Sequence, residues 1–143
     1  MQQDITEVRD IDEMMPKGVT RPIGCCLQDG TEVVVKYPNN PFGNGVLVNE
    51  LIGACVGDLI NVPAPEYGLC YLSEEVICTS DLYGPFDEGI DESNAGICFY
   101  SKRYTNTTVV QEYAKSDEGS HVGTAKTNTF PILLGSVCIN GCR

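Results

Sequence analysis

The stretch Gln28-Asp29-Gly30-Thr31-Glu32-Val33-Val34-Val35-Lys36 decides how this chain is read. Asp29-Gly30 is a hairpin signal, because these two residues tolerate the backbone angles of a tight turn between strands. The β-branched run Val33-Val34-Val35 predicts a strand buried on both faces. It ends on a charge, Lys36, and Pro38-Asn39-Asn40-Pro41-Phe42-Gly43-Asn44-Gly45 then breaks the strand. A helical pattern begins with Val46-Leu47-Val48-Asn49-Glu50, which puts Glu50 fourteen residues after Lys36. A strand lysine steadied by a helix carboxylate is one way a protein presents an ammonium to phosphate groups. The plainer reading of each residue is a charge that faces water at a sheet edge or on a helix surface.

Outward from this centre, residues 1–16 are polar and acidic and end at Met14-Met15-Pro16. They read as an N-terminal arm or as a first strand laid on the sheet. Residues 19–27 predict a strand interrupted at Pro22, the partner of residues 31–37 across the Asp29-Gly30 turn. Residues 46–60 predict the best helix: Leu47, Leu51, Ala54, Cys55 and Leu59 recur at helical spacing, and Val48, Ile52 and Val56 widen the stripe. Asn61 stops it, and Val62-Pro63-Ala64-Pro65 makes a stiff exit. Residues 67–72 predict another strand, the run Val76-Ile77-Cys78 a short one, and residues 96–100 a last one. Residues 79–95 are acidic and turn-rich and read as a solvated loop without the glycine and glutamate of a calcium-binding loop. Residues 101–123 are polar, with a faint helical pattern near 109–113. The apolar stretch at 129–139 looks like an element that expects a partner. This order predicts an α+β architecture, an antiparallel sheet with one packed helix.

Composition narrows the function classes. A chain of 143 residues that is 42% apolar is one globular domain or a piece of a larger one. Its 20 acidic and 9 basic residues give a net charge of -11, which argues against nucleic acid and anionic membranes as partners. The N-terminus lacks the apolar core of a secretory signal and no run is long enough to span a bilayer, so a cytoplasmic protein is expected. The eight cysteines are scattered, and none forms a Cys-x-x-Cys pair. Cys138 and Cys142 are four apart, with no second pair to complete a set, and His121 is the sole histidine. Zinc normally takes four organised ligands, so no metal site is expected, and the thiols read as small buried hydrophobes in a reducing compartment.

Taken together, several stretches resemble the HipA-like kinase family: Thr20-Arg21-Pro22-Ile23; Asp29-Gly30-Thr31-Glu32-Val33-Val34-Val35-Lys36-Tyr37; Asn39-Asn40-Pro41-Phe42-Gly43; Val46-Leu47-Val48-Asn49-Glu50-Leu51-Ile52. The run Leu59-Ile60-Asn61-Val62-Pro63-Ala64-Pro65-Glu66-Tyr67 is similar to that family's leucine–glycine–leucine–proline–x–proline theme, with Asn61 in place of glycine. Gly96-Ile97-Cys98-Phe99-Tyr100-Ser101-Lys102-Arg103-Tyr104 is similar to its segment between lobes. The resemblance implies a protein-kinase-like small lobe over residues 17–104. It also implies an incomplete start of the large lobe after a linker, over residues 105–143. ATP and magnesium are the implied cofactors. Lys36 would contact the phosphates and Glu50 would pair with it. The turn that holds Thr20 and Arg21 would cover the phosphates with backbone N–H groups, and Phe99 and Ser101 would lie near the adenine.

Phosphoryl transfer also needs a positioning aspartate, an asparagine and a metal-binding aspartate. No such loop is present in the chain, and after Arg103 the only acids are Glu112, Asp117 and Glu118. No catalytic residue is therefore assigned. The expectation is a truncated ATP-dependent protein kinase domain, of Ser/Thr type, inactive alone, whose partner is a missing large-lobe polypeptide or a protein substrate. The alternatives are a non-catalytic interaction or regulatory module derived from the same lobe, and an unrelated acidic α+β binding domain.

Overall fold

A hairpin builds the centre of the sheet. Strands β2 (Ile23–Leu27) and β3 (Glu32–Lys36) pair antiparallel, with Ile23 opposite Val35 and Cys25 opposite Val33. In the turn between them Gly30 takes φ 87°, and the Asp29 carboxylate accepts the Thr31 N–H at 2.9 Å. The structure, a computed structural model, describes residues 4–16, 18–85 and 89–104. Within them β1 spans Thr6–Met14, β4 Tyr67–Leu72 and β5 Gly96–Lys102. β4 and β5 pair antiparallel, and β5 lies antiparallel to β3 with Phe99 opposite Lys36.

The sheet does not stay open. Its strand order is β1-β2-β3-β5-β4, and a parallel pairing of β1 with β4, Thr6 opposite Cys70 and Glu7 opposite Tyr71, closes it into a five-stranded barrel. This corrects the expectation of a protein-kinase-like small lobe built on an antiparallel sheet with one packed helix. The strand that closes the barrel lies in the segment read as an arm or as a first strand on the sheet. β1 meets β2 antiparallel with register shifts between Val8 and Asp10 and between Ile11 and Glu13. Each shift adds a residue and bends the strand, which lets one strand reach both neighbours. The closing contact is short, since only Thr6 and Glu7 of β1 pair with β4. The incomplete large-lobe start, placed at 105–143, lies outside the described residues, as does the tail at 129–139.

Among the described residues, two helices decorate the barrel. Helix α1 (Gly45–Leu59) follows the loop in which the Asn44 side chain accepts the Asn39 N–H at 2.7 Å. It ends where Asn61 takes φ 54° and the Val62 N–H bonds the Gly57 carbonyl, ahead of Pro63. Helix α2 (Glu74–Thr79) forms where a short strand was expected. Its β-branched residues favour a strand, but the Ser73 hydroxyl caps the Val76 N–H at 3.2 Å, and Glu74 and Glu75 sit in the first turn where the helix dipole favours anions. Ile77 of α2 drops into the barrel core. Past α2, one 3₁₀ turn (Glu92–Asn94) is held by Asp91, which accepts the Ser93 N–H while the Asn94 side chain accepts the Asp91 N–H. Buried Asn94 also donates to the Pro38 and Asn39 carbonyls, so this turn braces the loop that launches α1.

The barrel interior is filled by one alternate face of each strand, including Ile23, Cys25 and Leu27 of β2, Val33 and Val35 of β3, and Cys70 and Leu72 of β4. Cys70 and Cys98 face one another across β4 and β5, and Cys25 stands beside them; all three are free thiols. Among the described residues no helix is long and apolar enough to cross a membrane.

Two outcomes follow from this packing. Gly68 faces Tyr100, and a Cβ at Gly68 would sit 2.8–2.9 Å from the tyrosine ring and hydroxyl. Gly68→Ala is expected to cost about 1–3 kcal/mol in urea unfolding, because the ring must leave its rotamer. The thiols give a pH signature. A bond with Cys70 and burial push the Cys98 thiol above its ordinary value of 9.0, and burial followed by Cys70 does the same for Cys25. A raised folded value means stability is complete below the unfolded value and is lost above it. The loss is about 1.4 kcal/mol per pH unit for each thiol. Unfolding free energy measured from pH 8 to about pH 10 should therefore fall above pH 9. Cys98→Ala should be less stable throughout yet decline less steeply.

Candidate functional site

Alternation along β3 sends Val33 and Val35 into the barrel and turns Val34 and Lys36 to its outer face. On β5 the same alternation turns Phe99 and Ser101 outward, and the register sets Phe99 beside Lys36 and Ser101 beside Val34. Lys36, Phe99 and Ser101 therefore share one outer face, and each is at most 2% exposed. A lysine this deep needs an anionic partner. Glu50, in the second turn of α1 and 3% exposed, supplies it: Lys36 Nζ donates to Glu50 Oε1 in a buried ion pair.

The helix is fixed by apolar contact one turn further on. Ala54 packs on Phe99, with Leu47, Leu51 and Tyr67 around them. The Tyr67 and Phe99 rings stack with centroids 6.0 Å apart. The Tyr67 hydroxyl donates to Asp58 in the last turn of α1 and lies 3.8 Å from the Cys55 sulfur. The bond to the Asp58 carboxylate, with partial burial, pushes the Tyr67 phenol well above its usual range. Glu50, Ala54 and Asp58 recur every four residues, so one face of α1 meets the barrel through an ion pair, an apolar contact and a hydrogen bond in turn.

Thr20 and Arg21 sit in the connection from β1 to β2. The Arg21 N–H bonds the Gly18 carbonyl at 3.0 Å, and Arg21 takes φ 51°. Ile23 pairs with Val35, so this turn lies at the end of the barrel where Lys36 leaves β3. Burial pushes the Tyr37 phenol up, and the nearby Arg21 charge opposes that shift. The buried Thr20 hydroxyl has no hydrogen-bond partner among the described residues. The fold thus brings Lys36, Glu50, Phe99 and Ser101 together on one face and sets Thr20 and Arg21 at its end. Among the described residues no three His, Cys, Asp or Glu side chains gather to hold a metal ion.

Sequence reasoning passed over Tyr67, Asp58 and Asn94. Tyr67 was read as the start of a strand and the end of the proline-rich run, with no role at the site. The signal was its place in β4 on the same face as Phe99, and Asp58 is the only charge in the last turn of α1. For Asn94 the signal was the local pattern Asp91-Glu92-Ser93-Asn94, a polar cap hidden in a loop read as solvated.

The family model described as HipA-like kinase matches residues 8–122. No curated protein and no solved structure gave a match.

The buried pair can be probed by itself. Glu50→Ala leaves the Lys36 ammonium buried without its carboxylate and should cost about 3–5 kcal/mol in urea unfolding. Lys36→Met with Glu50→Leu replaces both charges by apolar groups of similar volume and should recover most of that loss. A double variant no more stable than Glu50→Ala would refute this account.

Proposed function

This chain belongs to the HipA-like kinase family, and we propose that it binds ATP with magnesium through the outer face that carries Lys36. The observation that carries the reading is the buried Lys36–Glu50 ion pair, in a chain whose family is defined by kinase chemistry. In this reading Glu50 holds the ammonium at the end of β3, where it meets the nucleotide phosphates. The turn at residues 18–21 offers backbone N–H groups and the Thr20 hydroxyl, an unsatisfied group that an anion would satisfy. Arg21 adds positive charge at the same end, and Phe99 and Ser101 form the floor toward the adenine. Magnesium would arrive with the nucleotide, since its usual ligands are one or two carboxylates and the phosphates themselves.

Lys36 is 2% exposed, so phosphate contact requires a local opening. The apparent affinity is then reduced by the fraction of molecules that are open. In this reading the 143 residues bind nucleotide but do not transfer phosphate. The positioning aspartate and the metal-binding aspartate come from another polypeptide segment or partner, and the hydroxyl substrate is a protein. Such a protein works in the cytoplasm, where ATP and reduced thiols coexist. A second reading, a regulatory module that binds a partner and no nucleotide, is favoured by the exposed apolar side of α1, where Val48 and Ile52 are 56% and 55% exposed.

A thermal-shift titration with ATP and magnesium separates the two. Ligand at about 100 times Kd adds roughly 2.7 kcal/mol of stability to a protein that binds it only when folded. Wild type should be stabilised, and the Lys36→Met, Glu50→Leu double variant should not. Radiolabelled ATP should yield no phosphoprotein with this chain alone. No shift in either protein would overturn the nucleotide reading and leave the regulatory one, and an equal shift in both would overturn the Lys36 face as the nucleotide site.

A further inference from the structure

The side of α1 turned away from the barrel carries Val48, Ile52 and Leu59, with Cys55 at its edge toward Tyr67, spaced by four, three and four residues. That is the spacing of a helix-packing seam. Val48, Ile52 and Leu59 are 56%, 55% and 81% exposed, and the Cys55 thiol is exposed between them. The two charges of the helix are absent from this seam: Glu50 faces Lys36, and Asp58 is engaged by the Tyr67 hydroxyl. In a chain with 20 acidic and 9 basic residues, an uncharged apolar stripe three turns long calls for a cover.

The same chain contains a segment of matching chemistry. No charged residue occurs from 127 to 142, and Phe130, Ile132, Leu133, Leu134, Val137 and Ile139 are concentrated there. The path to it starts next to the stripe. Ser101, near the end of β5, stands opposite Tyr67, whose hydroxyl donates to Asp58 and lies 3.8 Å from the Cys55 sulfur, so β5 ends on the side of the barrel that carries the C-terminal half of α1. The twenty-six residue steps from Tyr104 to Phe130 span at most about 90 Å, well beyond the roughly 22 Å length of a fifteen-residue helix.

We propose that residues 130–139 dock on the Val48–Ile52–Cys55–Leu59 stripe of α1 within the same chain. A tethered segment acts at a local concentration near the millimolar range, which a second molecule does not reach in dilute solution. A second copy is further disfavoured by the net charge of -11 on each chain, which the two would bring together. Docking braces α1 from outside while Glu50 holds it from inside. The proposal does not rest on nucleotide binding.

Cysteine chemistry tests it directly, because Cys55 lies in the seam and Cys138 in the segment. In the full chain, Cys78→Ser and Cys142→Ser leave these two as the test thiols, while Cys25, Cys26, Cys70 and Cys98 are buried. A short bismaleimide should join Cys55 to Cys138 within one chain, as read by peptide mapping of the monomer band. Without cross-linker, alkylation of Cys55 should speed up about tenfold when Leu133→Lys and Leu134→Lys weaken the segment. Circular dichroism checks that the two substitutions leave the fold intact. A Cys55–Cys55 link between two chains would overturn the proposal in favour of a second copy. Single-site adducts alone, with alkylation unchanged by the lysine substitutions, would overturn it as well.

Discussion

One buried ion pair organises this protein. Lys36 cannot occupy the outer face of β3 at 2% exposure without a counter-charge, and Glu50 cannot leave water without a cation. Each makes the other's position tolerable, and together they fix both where α1 lies on the barrel and how it is rotated. The net contribution of such a pair to stability is small, because desolvation of two charges offsets most of their attraction. Its consequence is geometric. With Glu50 inward, helical periodicity carries Ala54 onto Phe99 and Asp58 to the Tyr67 hydroxyl.

The barrel supplies the rigid half of that arrangement. Lys36 and Phe99 are neighbours because β3 pairs with β5, and Tyr67 joins them because β5 pairs with β4. An open sheet would let these strands twist and splay. Closure through β1 links the far edge of β4 back to β2, so the outer face that carries the pair cannot flatten. The bulges in β1 matter for the same reason, since a straight nine-residue strand would not bend from β2 to β4.

Much of this was legible. The Asp29-Gly30 turn, the Val33-Val34-Val35 run and the apolar runs in residues 67–72 and 96–100 announced four strands, and the apolar spacing from 46 to 60 announced α1. The meeting of Lys36 with Glu50 was implied by the resemblance, because a separation of fourteen residues fits equally two charges that face water. β1 was hidden by its own bulges. Its inward residues Val8, Ile11 and Met14 are three apart, because each register shift adds one residue to the period of two that marks a strand. Everything between them is polar or charged, so the segment read equally as an arm or as a strand of unknown place, and the sheet could not be seen to close. α2 was missed because three apolar residues, Val76, Ile77 and Cys78, fit either structure; the Ser73 cap decided it.

The two sides of α1 carry unlike chemistry, and this ties the outer surface to the buried lysine. Its inner side holds Glu50, Ala54 and Asp58, and its outer side Val48, Ile52 and Leu59, with Cys55 at the edge toward Tyr67. Successive residues on a helix are about 100° apart. A rotation by that angle would carry Glu50 away from Lys36, uncouple Asp58 from Tyr67 and sweep the outer seam toward a flank at once. No contact on either side can change alone. A ligand or segment that grips the seam and favours the observed rotation therefore favours the Lys36–Glu50 pair. One that favours another rotation opposes it, in each case by no more than its difference in affinity for the two. The ion pair makes the helix a lever with one seated position, and the exposed seam is the surface on which that lever can be held.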